Sequence, residues 1–287
     1  MKKFSLDAEN FDLEETMTCG QTFCWHRVDG KLYSDGEPRF YTFRNGKPII
    51  VEQKDSGEII AETELLESEV REALGLHHDL EEIFSTFPED EFLEEAKQEL
   101  WGLRIVQDEF FSCLMSYLCS PQMRIPRIKE MHNKIAEKFG DVVEVNGIEM
   151  RRFPTLEELS EASEEELREL GVGYRARYIV ETIKILEEDF DVEKFEELDY
   201  GETREYMKSL YGVGDKVADC VLLFSLGYLE AYPIDTWAQK ALEENFPELY
   251  SEDYDELSKN MRNYFGEYAG YAQEYLFHAA RNGVIEI

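Results

Sequence analysis

Residues 210–220 read LYGVGDKVADC. Two glycines flank one β-branched residue, and Lys216 follows two positions after the second glycine. A Gly-Val-Gly turn folds tightly and presents several backbone N–H groups in a row. Where such a turn opens a helix it makes an anion site. Lys216 is out of place in that helix. It falls in the first turn, where the helix dipole disfavours positive charge and an acidic residue is the better local choice. The stretch predicts two helices joined by a glycine turn, over about residues 203–227.

Reading outward, AYPIDTWAQKAL places Asp235 just after Pro233, 19 residues beyond Lys216 (235 − 216 = 19). Asp is a favoured N-cap, and a helix over 236–245 is predicted behind it. Each residue alone has a plain reading: Lys216 as a phosphate contact and Asp235 as a cap. Together across one hairpin they are a chemically useful pair. A lysine is a nucleophile only when neutral, and desolvation and a helix N-terminus both favour the neutral amine. A fixed carboxylate stabilises positive charge that develops at a reacting centre.

The chain of 287 residues has length for one large domain or two ordinary ones. Hydrophobic residues make up 43% and aromatics 13%, enough for a core. No apolar run reaches membrane length, and MKKFSLDAENFDLEE carries no apolar stretch behind its lysines, so no secretory signal is expected. A soluble, cytoplasmic protein is the expectation. The net charge of −34 taken alone opposes nucleic-acid binding, since phosphate contacts need Lys and Arg. It also suits a heavily solvated surface in a salty cytoplasm. Net charge does not say where the basic residues sit. They gather at Arg124, Arg127 and Lys129, at Arg175 and Arg177, and at Lys208 and Lys216. The five cysteines, Cys19, Cys24, Cys113, Cys119 and Cys220, form no CxxC pair. They predict neither disulfides nor a tetrahedral metal site, and with none after Cys220 a C-terminal iron–sulfur cluster is excluded.

TFCWHRV, KLYSDG, RFYTFRN and KPIIVEQ read as short strands separated by turn signals at Asp29-Gly30, Asn45-Gly46 and Asp55-Ser56-Gly57. An antiparallel meander to about residue 64 follows. Helical spacing then takes over, from SEVREALGL onward. The exception is DVVEVNGIEMRRFP, whose Asn-Gly predicts one further hairpin. Thr155 and Glu158 form a capping-box pattern, and SEEELREL reads as a solvated helix face. The fold class is α+β, mainly α: an N-terminal twisted antiparallel β-sheet domain over 1–100 and helical domains over 101–287.

The sequence resembles the helix-hairpin-helix/Gly-Pro-Asp superfamily of DNA glycosylases, and within it the 8-oxoguanine DNA glycosylase/AP lyases of eukaryotic type with their archaeal and bacterial relatives. CGQTFCW (19–25), LCSPQMRIPRI (118–128), LGVGYRARYI (170–179), LYGVGDKVADC with YPID (210–235) and GYAQEYLFHA (270–279) carry the likeness in family order. The resemblance implies a sheet followed by two helical sub-domains around a cleft. The implied partner is double-stranded DNA containing 8-oxoguanine, acted on by a monomer without cofactor, and an alkali-metal ion at the hairpin carbonyls is compatible with it. The damaged base is flipped out and excised, and the abasic strand is nicked by β-elimination.

Carried over, Lys216 falls on the nucleophile and Asp235 on the catalytic aspartate. Gly20 falls on the glycine whose carbonyl accepts from N7–H of 8-oxoguanine, where guanine has a lone pair; a turn glycine is its plain reading. Gln273 falls on the reader of the Watson–Crick edge, Phe277 on the stacking aromatic and Cys220 on the opposite wall; core packing accounts for the last two as well. Tyr174, Arg175 and Arg127 fall on residues that wedge the duplex or contact the orphaned cytosine. Gly212 and Gly214 form the DNA-binding turn. The sequence departs from the pattern twice: Gln122 replaces an asparagine wedge, and Trp237 replaces a phosphate-contacting histidine. A glycosylase of the same superfamily for alkylated purines, and a non-catalytic hairpin module, are the other readings. The first often lacks the lysine, and the second has no need of Asp235, CGQTFCW or GYAQEYLF.

Overall fold

The structure is a computed structural model that describes residues 1–31, 36–188 and 190–285. Among the described residues the strands are β1 Lys2–Leu6, β2 His26–Arg27, β3 Arg39–Arg44, β4 Lys47–Gln53, β5 Ile59–Thr63, β6 Val142–Val145 and β7 Ile148–Arg151. The first five form one antiparallel sheet in the order β1-β5-β4-β3-β2, and β6-β7 is a separate hairpin. Asn45-Gly46 and Asn146-Gly147 close two-residue hairpin turns, with all four residues at positive φ (52° and 69°; 52° and 79°). That is the mirror-image turn whose twist matches antiparallel strands, and Asn-Gly tolerates it best.

Strand β4 shows how the sheet is covered on both faces. Ile49 and Val51 point into a core with Leu6, Phe40, Ile59 and Ala61, while Ile50 between them packs with Tyr41 and Met150 of the second hairpin. Alternate residues of one strand therefore serve two cores. Two sequence readings are amended here, and a third falls outside the described residues. TFCWHRV is a strand only at its His26–Arg27 end. Strand β1 was not expected; it pairs with β5 through residues 2–6. Leu32–Asp35, within the predicted KLYSDG strand, lie outside the described residues.

The helices are α1 Leu13–Thr18, α2 Glu67–Ala73, α3 Leu80–Ser85, α4 Glu91–Leu100, α5 Phe110–Leu118, α6 Ile125–Phe139, α7 Leu156–Ser160, α8 Glu164–Leu167, α9 Arg175–Glu188, α10 Tyr200–Lys208, α11 Asp215–Phe224, α12 Thr236–Asn245, α13 Tyr254–Phe265 and α14 Ala269–Arg281. Their starts follow the side-chain oxygens: Asp199, Asp235 and Asp253 each cap the helix that follows, and Thr155 with Glu158 forms the expected capping box. SEEELREL is helical for less than its length. α8 gives way to a wider turn over Arg168–Val172, because Gly171 at φ 85° leaves the helix. Helices α5, α11 and α14 are the most deeply buried; α11 is fully enclosed from Val217 to Phe224. The five cysteines are buried thiols. No helix among the described residues is long and apolar enough to cross a membrane.

Candidate active site

Helix α10 ends at Ser209, the chain turns through Gly212 and Gly214, and α11 begins at Asp215. Gly212 sits at φ 84°, and a Cβ there would come within 2.5 Å of the Tyr178 ring. Glycine is thus required both by the backbone and by the close passage of α9. The Thr182 hydroxyl donates to the Tyr211 carbonyl at 2.7 Å and fixes the turn to that helix. Gly214 caps α11 and has open space where a side chain would stand.

Behind the turn lies a cleft of about 650 Å³, bounded by the loops at residues 20–23 and 120–125, by α11, by the start of α12 and by α14. Lys216 reaches into it half-buried, in the first turn of α11 as predicted. Its ammonium nitrogen donates to Ser120 Oγ at 3.1 Å and lies 4.9 Å from the centre of the Tyr117 ring. No carboxylate pairs with it among the described residues. Asp235 lines the same cleft. Its Oδ1 accepts from the backbone N–H of Trp237 at 2.9 Å and of Ala238 at 2.8 Å. Its second oxygen has no hydrogen-bond partner among the described residues. The cap thus orients the carboxylate and leaves one oxygen for the cleft.

Gln273 and Phe277, one turn apart on α14, line the cleft beyond them. Gln273 is buried, yet its Oε1 has no hydrogen-bond partner among the described residues. A buried orphan acceptor of this kind is costly unless a ligand satisfies it. Cys220 faces the cleft from α11; burial pushes its thiol up to about 12, so it forms a neutral wall. Gly20 sits opposite at φ 110°, where a Cβ would lie 2.4 Å from Ile125 Cδ1. The loop around it is held by side chains. Gln21 Nε2 donates to the carbonyls of Thr16 (3.0 Å) and Arg104 (2.7 Å), its Oε1 accepts from Val106 N–H (2.9 Å), and Tyr117 OH donates to its carbonyl (2.6 Å). Lys129 donates to the carbonyls of Phe23 and Trp25. This is why TFCWHRV is mostly not a strand: its backbone partners are side chains from the helical half.

Comparison with known proteins gives the family. Residues 3–114 match the 8-oxoguanine DNA glycosylase N-terminal domain, and residues 115–266 match the HhH-GPD superfamily base excision DNA repair proteins. The chain belongs to the HhH-GPD superfamily of base excision DNA repair proteins. It is 31% identical to a probable N-glycosylase/DNA lyase of Methanothermobacter thermautotrophicus over 96% of each chain. The N-glycosylase/DNA lyase of Saccharomyces cerevisiae is 29% identical over 96% of this chain and 85% of its own. Among solved structures, the Clostridium acetobutylicum 8-oxoguanine glycosylase/lyase, in complex with double-stranded DNA containing cytosine opposite 8-oxoguanine, is 30% identical. It covers 99% of each chain with a TM-score of 0.85.

The rim of this glycosylase cleft is arranged less simply than its sequence reads. Gln122 and Tyr174 are exposed and line the opening. Gln122 holds φ 59°, a left-handed conformation uncommon for glutamine. Trp237 is 56% exposed beside Asp235. Arg127 and Arg175 do not line the cleft. Arg127 pairs with Glu130 at 2.5 Å and donates to the Gly171 carbonyl at 3.0 Å. Arg175 is buried, stacks 4.5 Å from the Tyr174 ring and donates to the Pro121 carbonyl.

The basic cluster is also thinner than its spacing suggests. Burial lowers Lys129 to about 8 beneath the Phe23–Trp25 loop, and Lys208 is neutralised by Asp215 (2.8 Å) and Glu205 (3.0 Å). Around the cleft, Arg124, Arg177 and Lys216 are left without a carboxylate partner among the described residues. The sequence reading missed Ser120 and Tyr117, which hold Lys216, although both stand in or beside the quoted LCSPQMRIPRI segment.

Proposed function

We propose that this chain flips 8-oxoguanine out of duplex DNA, excises it, and cleaves the resulting abasic strand by β-elimination. The reading is carried by a single cleft that holds an amine and a half-free carboxylate, with the orphaned Gln273 amide and the Phe277 ring on its far wall. Lys216 Nζ attacks the sugar C1′. The glycosidic bond breaks, and the base leaves with that electron pair and takes up a proton. Nζ gives up a proton, the C1′–O4′ bond of the resulting aminal breaks, O4′ takes a proton as the ring opens, and the nitrogen lone pair completes a Schiff base between Nζ and C1′. Loss of a C2′ proton then expels the 3′ phosphate, and hydrolysis of the imine returns the amine. The Asp235 carboxylate stabilises positive charge on the sugar as the base departs.

The flipped base would lie with its N7–H toward the Gly20 carbonyl, its Watson–Crick edge on Gln273 and its face between Phe277 and Cys220. A guanine lone pair in place of N7–H would meet the same carbonyl, a mismatch worth about 1–3 kcal/mol. Tyr174 and Gln122 fill the gap in the stack. Arg127 and Arg175 contact the orphaned cytosine only after releasing Glu130, the Gly171 carbonyl and the Pro121 carbonyl, so opposite-base contact is formed with DNA and is absent before it. We place the protein in the cytoplasm, at the nucleoid, acting as a monomer.

The test is product analysis on end-labelled duplexes carrying 8-oxoguanine opposite cytosine or an alkylated purine at the same position. Free 8-oxoguanine with a β-elimination nick is the expected result. Release of the alkylated base alone, without a nick, would assign the chain to the other branch of the superfamily.

A further inference from the structure

Helix α14 presents two working faces. Gln273 and Phe277 look into the cleft, whereas on the other side His278 reaches Glu15 in the first turn of α1 and Arg281 reaches the C-terminal end of that helix. That end has no basic residue in its own last turn, so the carbonyls of Thr18 and Cys19 lack a local cation. Arg281 supplies it across a sequence separation of 262 residues. One guanidinium nitrogen donates to the Cys19 carbonyl and the other to the Thr18 carbonyl at 3.2 Å. The same guanidinium lies 5.9 Å from the Phe277 ring centre.

His278 completes the clamp. An arginine only donates, so His278 Nδ1 accepts from Arg281 at 2.9 Å, and its protonated Nε2 donates to Glu15 Oε2 at 2.6 Å. The two carbonyls gripped in this way immediately precede Gly20. On the other side, the Gln21 side chain is pinned to Thr16, Arg104 and Val106. The direction of the Gly20 carbonyl is therefore set from both flanks.

We infer that Arg281 is a positioning residue for lesion discrimination: it fixes the Gly20 carbonyl relative to Gln273 and Phe277, so that both jaws of the base pocket are registered by one helix. The inference rests on the reading of Gly20 given under Proposed function. A carbonyl that discriminates N7–H from a lone pair works only if it cannot rotate away from the repulsive partner. Arg281 removes that freedom without touching the base.

Arg281→Met and Arg281→Lys separate this role from general stability. Three quantities are measured on the full chain: single-turnover release of 8-oxoguanine opposite cytosine, the binding preference for 8-oxoguanine over guanine duplexes, and borohydride trapping on a preformed abasic site. Trapping needs Lys216 but no base reading. Arg281→Met should slow base release roughly ten- to hundredfold, the effect of losing a charge-assisted hydrogen bond, and narrow the preference over guanine. Trapping on abasic DNA should stay at the wild-type level. Arg281→Lys, which keeps a cation for the same carbonyls, should recover part of both losses. Unchanged release and preference in Arg281→Met overturn the inference. So does a parallel fall of release and abasic trapping together with a lowered Tm. A wild-type chain that traps abasic DNA yet releases no 8-oxoguanine defeats the substrate reading itself and carries this inference down with it, a result that no variant is needed to see.

Discussion

At the scale of single residues, the observed capping role of Asp235 and its proposed catalytic role can be separated by chemistry. As a cap it uses one oxygen, and asparagine caps equally well. Asp235→Asn should therefore keep the wild-type Tm while excision falls by roughly a hundredfold or more, as expected on removing a charge that faces the reacting sugar. Asp235→Ala should lose about 1 kcal/mol of stability as well. Excision at wild-type rate in Asp235→Asn would take Asp235 out of the mechanism. Asp108, buried against the loop at residues 20–23, gives a pH signature. Burial raises its carboxyl to about 6 from the ordinary 3.8, although Thr22 donates to it at 2.7 Å. A raised folded pKa means stability that is present in acid and lost as pH rises through 6. Urea unfolding from pH 4 to 7 should show Asp108→Asn gaining on the wild type as pH rises, by on the order of 3 kcal/mol. A gap independent of pH would contradict this. Residue identities at the cleft were legible because a glycine turn, a first-turn lysine and a capping aspartate are local chemistry. The engagement of Arg127, Arg175 and Lys129 was not legible. Their partners, the Gly171, Pro121, Phe23 and Trp25 carbonyls, come from other segments.

At the scale of elements, the hairpin is held to α13 by one buried network. Asp219 of α11, fully buried, accepts from Tyr200 OH at 2.7 Å, Arg204 Nε at 2.9 Å and Tyr254 OH at 2.7 Å. Arg204 also bonds Asp215 at 2.9 Å and Asp255 at 2.7 Å. Arg204→Met would leave the Asp219 carboxylate buried without its cation, at a cost of about 3 kcal/mol in urea unfolding. A loss below about 1 kcal/mol would mean that the two tyrosines suffice. Such a network explains why α11 can start with Asp and Lys and then run deep into the core. Helices and Asn-Gly hairpins announced themselves by period and turn chemistry. The stretch from Cys19 to Trp25 did not: its aromatic, β-like composition serves burial, while its backbone is satisfied by Gln21, Tyr117 and Lys129 across the molecule. Strand β1 was missed because Phe4 and Leu6 are too few to show an alternation; it is defined by its partner β5.

For the molecule as a whole, the net charge of −34 and a DNA-binding cleft make opposing demands on salt. Screening relieves self-repulsion, so Tm should rise with KCl. DNA affinity should fall, but gently. With Arg124 and Arg177 as the unpaired cations at the rim, and Lys216 facing a sugar carbon and not a phosphate, log K against log salt should have a slope of about −2. A slope steeper than about −6 would require phosphate contacts elsewhere on the surface. Composition gave the sign of this charge but hid its placement; the fold brings a few cations to one opening and spends the others on internal pairs. All of these scales meet in one proposed event, the bond between Lys216 and a deoxyribose carbon. Borohydride trapping on a duplex with 8-oxoguanine opposite cytosine tests it directly. The wild-type chain should form a covalent adduct with the lesion strand, and Lys216→Gln should form none; an adduct that survives in Lys216→Gln, or its absence from the wild type, would contradict the account.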